Sequence, residues 1–187
     1  VWKYIPRQGK IENIIPDLRV FSIDKVAANL LYVGAIEGLY EYNLVDKSLR
    51  QISLFPSTPK NSPINENEFI TYIFNDDDYV WIGTKNHGIV RMHKENRVFQ
   101  LFDNKNTTLS SNYITSITKG KNGILWVGTF HGLNKFNNEN FKVFDESTGL
   151  PDAVINAVVC DDANTVWAST NSGLIHISAD GEILHHY

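Results

Sequence analysis

The residues of this sequence that could take part in catalysis or bind a metal ion are scattered along the chain. None of its six histidines stands in a spacing typical of metal ligands. The adjacent pair His185 and His186 cannot easily hold one ion, because neighbouring residues of a strand point to opposite faces. Ser110 and Ser111 lack the glycine-flanked turn that exposes a nucleophilic serine in hydrolases. The sequence therefore predicts no catalytic group, no metal ion and no cofactor.

The acidic run Asp76-Asp77-Asp78 and the single cysteine, Cys160, are the other groups that could bind a metal ion. The acidic run lacks the alternating ligands, the glycine and the distal glutamate of a calcium-binding loop, so we interpret it as a solvated turn. A single cysteine cannot form an internal disulfide or a multi-cysteine metal site. Because Cys160 lies in an apolar run, we expect it to be a buried small residue.

Composition and charge argue against two classes of partner. The chain has 187 residues, a formal net charge of −4 and a sequence pI near 5.8. Because it has no basic stripe, we predict that it binds neither nucleic acid nor an anionic membrane surface. No apolar run approaches the roughly 18 residues of a membrane span. The sequence also does not begin with the charged and then apolar residues of a signal peptide. We expect any link to a membrane to run through segments missing from this chain.

The elements that carry these residues form an array, because one short string occurs four times. Its clearest copy is Leu-Trp-Val-Gly-Thr-Phe-His-Gly-Leu at 125–133, and the other copies begin at Leu31, Val80 and Val166. Each copy predicts a strand, a turn closed by glycine and a second strand, which is a hairpin. A repeat of about 40 to 50 residues is typical of propeller blades or helical solenoids, and the hairpin favours the propeller. The aromatic anchors of the four copies are Tyr32, Trp81, Trp126 and Trp167.

Two sets of glycines in the repeat have different predicted structural roles. One set closes the hairpin turn, where a positive φ is needed, and comprises Gly38, Gly88, Gly132 and Gly173. The other set lies inside the first strand of the hairpin and comprises Gly34, Gly83 and Gly128. Glycine within a strand predicts the close approach of another backbone. The fourth copy has Ser169 at this position.

We predict an all-β protein with four complete β-propeller blades, each a four-stranded antiparallel sheet, as part of a larger propeller. A short apolar run before each hairpin and another after it supply the first and fourth strands. Residues 1–5 are predicted to be the outer strand of a preceding or closing blade, and Pro6–Pro16 a connection. A β-sandwich is the alternative, but it offers no reason for one string to recur. The predicted blades span approximately residues 17–55, 69–103, 113–145 and 154–187.

The string at 125–136, followed by Phe141-Lys142-Val143-Phe144 and the connection Gly149-Leu150-Pro151, resembles the two-component regulator propeller repeat. The resemblance covers nearly the whole chain. It implies the extracytoplasmic, periplasmic sensor region of a hybrid histidine kinase, of the kind through which Bacteroidetes respond to polysaccharide breakdown products. Sensor regions of this family have pairs of propellers with roughly seven blades each. We therefore interpret the four blades as a piece of a larger sensor or, alternatively, as a small propeller that closes on itself or on a copy. The motif specifies the blade and does not identify a ligand.

Antiparallel topology predicts which face of the blades could bind a ligand. The turns between the second and third strands emerge on the same face as the connections that lead to the next blade, among them Pro56–Glu68, Asn104–Tyr113 and Glu146–Asp152. Aromatic rings with amide, carboxylate and cationic groups suit a saccharide, and this face offers all of them. The predicted ligand-binding residues are Lys85, His87, Phe130, His131 and Asn171.

Three classes of function follow from these observations. The leading one, which rests on the family resemblance, is a sensor domain that binds an oligosaccharide. The second is a platform for protein interaction or dimerisation without a small ligand, since blade faces left uncovered would drive self-association or take up further blades. The third is a propeller lyase or glycosidase. A glycosidase needs two carboxylates near the central channel, where the first strands offer only Asp24, so we predict no enzymatic activity for this chain.

Overall fold

Four four-stranded antiparallel sheets make up most of the molecule, as the sequence predicts. The computed structural model describes residues 1–15, 17–54 and 67–187. The first sheet, blade 1, consists of β3 (Val20–Ala27), β4 (Leu30–Ala35), β5 (Gly38–Asn43) and β6 (Leu49–Ile52). The second sheet, blade 2, consists of β7 (Ile70–Asn75), β8 (Tyr79–Thr84), β9 (Ile89–His93) and β10 (Phe99–Phe102).

The second half of the chain repeats this meander twice, so an all-β propeller-blade architecture is confirmed. Blade 3 consists of β11 (Ile114–Lys119), β12 (Leu125–Thr129), β13 (Gly132–Phe136) and β14 (Phe141–Phe144). Blade 4 consists of β15 (Ile155–Cys160), β16 (Val166–Thr170), β17 (Gly173–Ile177) and β18 (Ile183–His186). A single 3-10 turn, Glu146–Thr148, lies between blades 3 and 4. Across the described residues no helix is long and apolar enough to cross a membrane.

The first strands of the four blades pack side by side in chain order, β3 on β7, β7 on β11 and β11 on β15. The sheets therefore stack face against face, and a strand in the middle of the stack has no solvent-exposed side. Every residue of β12 is buried for this reason. Each sheet supplies apolar side chains to the layers on both sides of it, which is how one core extends through repeats that could not bury their faces alone.

The N-terminal residues form a hairpin, because the predicted strand at residues 1–5 is followed by a second strand where the sequence predicts a connection. β1 (Trp2–Ile5) pairs antiparallel with β2 (Lys10–Asn13), a strand that lies inside the predicted connection. The turn is compatible with the sequence, because Gly9 has a positive φ of 58° and its N–H donates to the carbonyl of Pro6. Ile15, 1% exposed, follows the hairpin and packs against blade 1.

The strand glycines lie where the next sheet comes close, but side chains make this approach and not the predicted backbone. A Cβ atom added at Gly34 would lie 2.5 Å from Cγ2 of Ile70, and one at Gly83 would lie 2.7 Å from Cγ2 of Ile114. Ile70 and Ile114 begin the first strands of the following blades, so each glycine makes room for the next sheet. Ser169 has no later sheet against it in the described part of the chain, which explains why a side chain is tolerated there.

The turn glycines have the positive φ that the sequence predicts. Their φ values lie between 78° and 134°, a region that side chains disfavour. The residues are Gly38, Gly88, Gly132 and Gly173.

The aromatic anchors occupy equivalent positions of the second strands, but only three of them are enclosed. Tyr32, Trp81 and Trp126 are at most 4% exposed, because the next sheet covers each of them. Phe136 of blade 3, for example, meets Trp81 edge-on with ring centroids 5.2 Å apart. Trp167 is only half-buried, because blade 4 is the last described sheet and no further described sheet covers this ring.

Candidate binding face

The hairpin turns and the connections between blades meet on one face of the propeller, as the topology predicts. Backbone hydrogen bonds join them at equivalent places in successive blades. The N–H of Lys85, in the turn after β8, donates to the carbonyl of Phe69 at 3.0 Å. The N–H of Phe130, in the turn after β12, donates to the carbonyl of Tyr113 at 3.2 Å. Each turn residue is therefore held beside the residue that precedes the first strand of its own blade.

A threonine at the end of the second strand fixes each of three turns. Its hydroxyl donates to the carbonyl of the turn glycine and accepts an N–H from the turn itself, so two backbone groups are satisfied by one side chain. In blade 3, Oγ1 of Thr129 donates to Gly132 at 3.0 Å and accepts from the N–H of His131 at 3.1 Å. Thr84 and Thr170 make the same pair of bonds in blades 2 and 4.

Four aromatic rings and one ammonium group form a continuous row on this face, which we call the aromatic strip (Phe21, Phe69, Lys85, Tyr113 and Phe130). Phe21 meets Phe69 edge-on, with ring centroids 4.7 Å apart. Nζ of Lys85 lies 5.5 Å from the ring centroid of Phe69 and 5.9 Å from that of Tyr113. Tyr113 stacks on Phe130 at 4.2 Å with an interplanar angle of 7°. The strip thus runs across blades 1, 2 and 3.

The aromatic strip is accessible to a ligand. Phe21 is 59% exposed and Phe130 is 39% exposed, while Phe69 and Tyr113 are half-buried. Contiguous apolar patches are uncommon on the surface of a monomeric protein, so the strip is a candidate interaction surface. Chemically, the strip offers flat apolar surfaces for stacking and one cation held between two of them.

The five predicted binding residues do not all belong to the aromatic strip. Lys85 and Phe130 do, and Tyr113 lies between them. Nδ1 of His87 instead lies 2.7 Å from Oε2 of Glu68. His131 is exposed beside the strip, and Asn171, on blade 4, accepts a hydrogen bond from Nδ2 of Asn156 at 3.2 Å.

Sequence reasoning missed Phe21 and Phe69 and treated Tyr113 only as the end of a connection. The available signal was the register: an aromatic residue directly precedes the first-strand isoleucine in blade 2 and again in blade 3. Of the predicted connection Pro56–Glu68, residues 56–66 lie outside the described residues.

Glu68 and His87 form a partly buried pair near the strip. The side chain of Glu68 is 5% exposed, and that of His87 is 24% exposed. Oε1 of Glu68 also accepts the N–H of Asn86 at 3.2 Å, so both carboxylate oxygens are engaged. This pair fixes the hairpin of blade 2 to the connection that leads into it.

The remaining titratable residues show no metal site within the described ranges: no group of three or more His, Cys, Asp and Glu side chains could hold an ion there. Asp76, in the acidic turn, pairs with Nζ of Lys119 at 2.6 Å. His186 lies 3.1 Å from the carbonyl of Ser172, whereas His185 stacks against His176. Cys160, expected to be buried, is half-buried, and this partial burial raises the pKa of its thiol.

Comparison with known proteins agrees with the fold. The extracellular domain assigned to a hybrid two component system of B. thetaiotaomicron aligns with 92% of this chain at a TM-score of 0.74 and 18% identity. A second such domain from the same organism aligns with 92% of this chain at a TM-score of 0.76 and 22% identity. Virginiamycin B lyase from Staphylococcus aureus aligns with 89% of this chain at a TM-score of 0.65 and 16% identity.

The chain spans about a quarter of the two sensor-system domains, 25% and 23% of their lengths, and 55% of the lyase. No curated protein sequence matches it significantly. Residues 108–131, which run from the connection before β11 through the turn after β12, match the family described as two component regulator propeller. The chain therefore has the fold of β-propeller blades, and residues 108–131 within it match the two component regulator propeller family.

Proposed function

We propose that this propeller is a ligand-sensing domain of a two-component signalling receptor, that it lies in the periplasm, and that it binds an oligosaccharide on the aromatic strip. The structural similarity to extracellular domains of two such systems supports the sensor role and an extracytoplasmic location. The repeat at residues 108–131 supports the same assignment. The saccharide rests on one observation, the exposed row of rings around Lys85.

The strip has the chemistry that a saccharide requires. The apolar C–H faces of a sugar ring stack on flat aromatic surfaces, and an ammonium group donates to hydroxyl or carboxylate oxygens. Phe21, Phe69 and the stacked pair of Tyr113 and Phe130 present such surfaces on three adjacent blades. A chain of several sugar units could therefore contact more than one blade. Because few polar groups are engaged, the affinity is expected to be modest.

Calorimetric titration of a panel of neutral and uronic-acid oligosaccharides tests this proposal. Tyr113→Ala removes the ring shared by Lys85 and Phe130, so we expect the Kd of any saccharide that binds to rise by at least about tenfold, equivalent to about 1.4 kcal/mol. His131→Ala is the matched control, because His131 neighbours Phe130 without belonging to the strip. Binding that depends on His131 and not on Tyr113 would contradict the assignment of the strip.

The second candidate function is proton-transfer catalysis, favoured by the pair of Glu68 and His87. A carboxylate hydrogen-bonded to one imidazole nitrogen orients the ring so that the other nitrogen can act as a base. The propeller fold also occurs in a lyase with a TM-score of 0.65 to this chain. If the parent cleaved a saccharide that His87→Ala bound but left intact, this second function would replace the sensor role.

A further inference from the structure

A buried carboxylate between blades 1 and 2 holds two arginines side by side. Glu41 on β5 is 7% exposed. Its Oε2 accepts a hydrogen bond from Nη2 of Arg50 at 2.5 Å, and its Oε1 accepts one from Nη2 of Arg97 at 2.5 Å. The hydroxyl of Tyr32 also donates to Oε1, at 3.2 Å. Both oxygens of the carboxylate are thus occupied by groups from two different blades.

The charges of this cluster do not balance. Within residues 1–15, 17–54 and 67–187, Glu41 is the only carboxylate in ion-pair contact with either guanidinium. Burial acts to raise the pKa of Glu41, but Arg50 and Arg97 outweigh burial and hold that pKa below its ordinary value. Glu41 is therefore ionised at neutral pH, and two permanent positive charges stand against one negative charge.

The arginines retain donors for a further partner. A guanidinium has five N–H groups in a planar fork, and Glu41 takes one nitrogen from each arginine. The side chain of Arg50 is 72% exposed and that of Arg97 is 42% exposed. Both line a groove of about 220 Å³ between the outermost strands β6 and β10, with Ile52, Ser53 and Phe99 among its other walls.

The arrangement is particular to this pair of blades. At the position of Glu41, the other blades have cationic or imidazole side chains that cover the aromatic anchor of their own sheet: Arg91, Lys135 and His176. At the tip of the turn before the fourth strand, Arg97 has a positive φ of 56° and Lys47 of blade 1 has one of 62°, whereas blade 4 has Gly181 with a φ of 98°. Glycine would fit this backbone with less strain. Of the two cations, Arg97 is the one that pairs with Glu41.

We propose that the groove between β6 and β10 is a binding site for an oxyanion, that is, the carboxylate, sulfate or phosphate group of a ligand, which Arg50 and Arg97 bind while Glu41 holds them in place. Arginine forks match the geometry of such anions and can bind them through two parallel hydrogen bonds. A groove of about 220 Å³ leaves room for a small group attached to the anion. This site is separate from the aromatic strip, and its existence does not depend on the proposed sensor function.

Titration of the 187-residue chain with sodium sulfate, sodium phosphate and sodium acetate tests the proposal. Each anion is added into the tens of millimolar at constant ionic strength, and amide chemical shifts report binding. We expect saturable shifts centred on Arg50, Ile52, Ser53 and Arg97. Saturation by sulfate and phosphate alone would assign a tetrahedral anion, and saturation by acetate alone would assign a carboxylate.

Two single variants and a matched control decide whether the arginines bind the anion. Arg50→Gln and Arg97→Gln each remove one charged donor and should each raise the Kd about 10- to 100-fold. Lys142→Gln is the control, because Lys142 occupies the position of Arg50 on blade 3 and should leave the Kd unchanged. Thermal unfolding of each variant verifies that it is folded. No saturable binding of any anion, or equal Kd values for the parent and both arginine variants, would overturn the proposal.

Discussion

At the scale of single residues, the repeat places the smallest side chains where neighbouring sheets approach most closely. Gly83 lies on β8 opposite the first strand of blade 3, and an added Cβ would come within 2.9 Å of both Cβ and Cγ2 of Ile114. Ile114 is fully buried and cannot move without disturbing the core. A single methyl group at this position therefore strains two blades at once.

Gly83→Ala should destabilise the protein by about 1–3 kcal/mol, the usual range for overpacking a core. The free energy of unfolding in urea measures the effect. Ser169→Ala is the control at the equivalent position of blade 4 and should change stability by less than about 0.5 kcal/mol. Equal effects of the two substitutions would show that the neighbouring sheet does not constrain Gly83.

A second residue-scale prediction concerns Asp161, in the turn before β16. Hydrogen bonds from Thr165 and Trp167 lower the pKa of Asp161 to about 2. Because the pKa in the folded state is lower than in the unfolded state, the stabilisation by this carboxylate is complete above about pH 4 and is lost as the pH falls towards about 2. Asp161→Asn should be less stable than the parent near neutral pH, and the difference should shrink through that window.

Urea unfolding of the parent and of Asp161→Asn at a series of pH values measures this difference. Thr165→Val removes the hydrogen bond from the Thr165 hydroxyl to Asp161. Its stability difference from the parent should also shrink as the pH falls towards about 2. A stability difference that stays constant from neutral pH to about pH 2 would rule out a contribution from the ionised carboxylate.

At the scale of the elements, each second strand depends on the sheet that follows it. Trp126 of β12 is 1% exposed in a core that includes Ile175 and Ile177 of blade 4. Trp167 has the same register on β16 but is covered on one side only, where it stacks on His176 at 3.9 Å. The equivalent tryptophans should therefore contribute unequally to stability.

Trp126→Ala should cost about 3–5 kcal/mol, as expected for removal of an enclosed aromatic side chain. Trp167→Ala should cost less than about 2 kcal/mol, because this ring already contacts solvent. Lys121→Ala, at an exposed ion pair, should stay within about 0.5 kcal/mol of the parent. Thermal and urea unfolding measure all three, and a Trp126→Ala protein as stable as the parent would contradict the stacking of the blades.

At the scale of the whole molecule, the two outer sheets leave apolar side chains uncovered. Ile23 on β3 is 43% exposed, whereas Ile73 and Ile117 at the same position of blades 2 and 3 are 3% and 1% exposed. At the other end, Val159 on β15 is 57% exposed. Exposed apolar faces of this kind favour association. In the repeat, the surface that fits each face is another blade.

We expect this chain to self-associate, with the exposed face of blade 4 in one copy packed against blade 1 of another. Sedimentation velocity over a range of concentrations measures the association. The double variant Ile23→Lys/Val159→Lys should shift the population towards monomer, because it places charges on both faces. Val98→Lys is the control, since Val98 is 60% exposed at a turn of blade 2. A parent that stays monomeric at every concentration would contradict this expectation.

Much of the architecture follows from the sequence, because each blade is formed by one continuous segment of the chain. The strands, the turn glycines and the aromatic anchors recur at a fixed period, and a four-stranded meander pairs only residues close in sequence. The glycines within strands even predicted the contact between sheets. The N-terminal hairpin escaped prediction because it is not part of the repeat, and a strand of four mostly exposed residues such as β2 has no apolar alternation to reveal it.

The two proposed binding surfaces needed the tertiary structure, because their residues come from different blades. Phe69 and Tyr113 are 44 positions apart, yet Lys85 lies within 6 Å of both ring centroids. In the same way, Glu41 meets Arg97 only because blade 2 packs on blade 1. The sequence by itself determined the blades, their order and the face on which the turns meet. Side-chain pairing across neighbouring blades depends on how the sheets stack. This stacking brings Lys85 and Phe130 into contact with Tyr113, whereas His87 pairs with Glu68 instead.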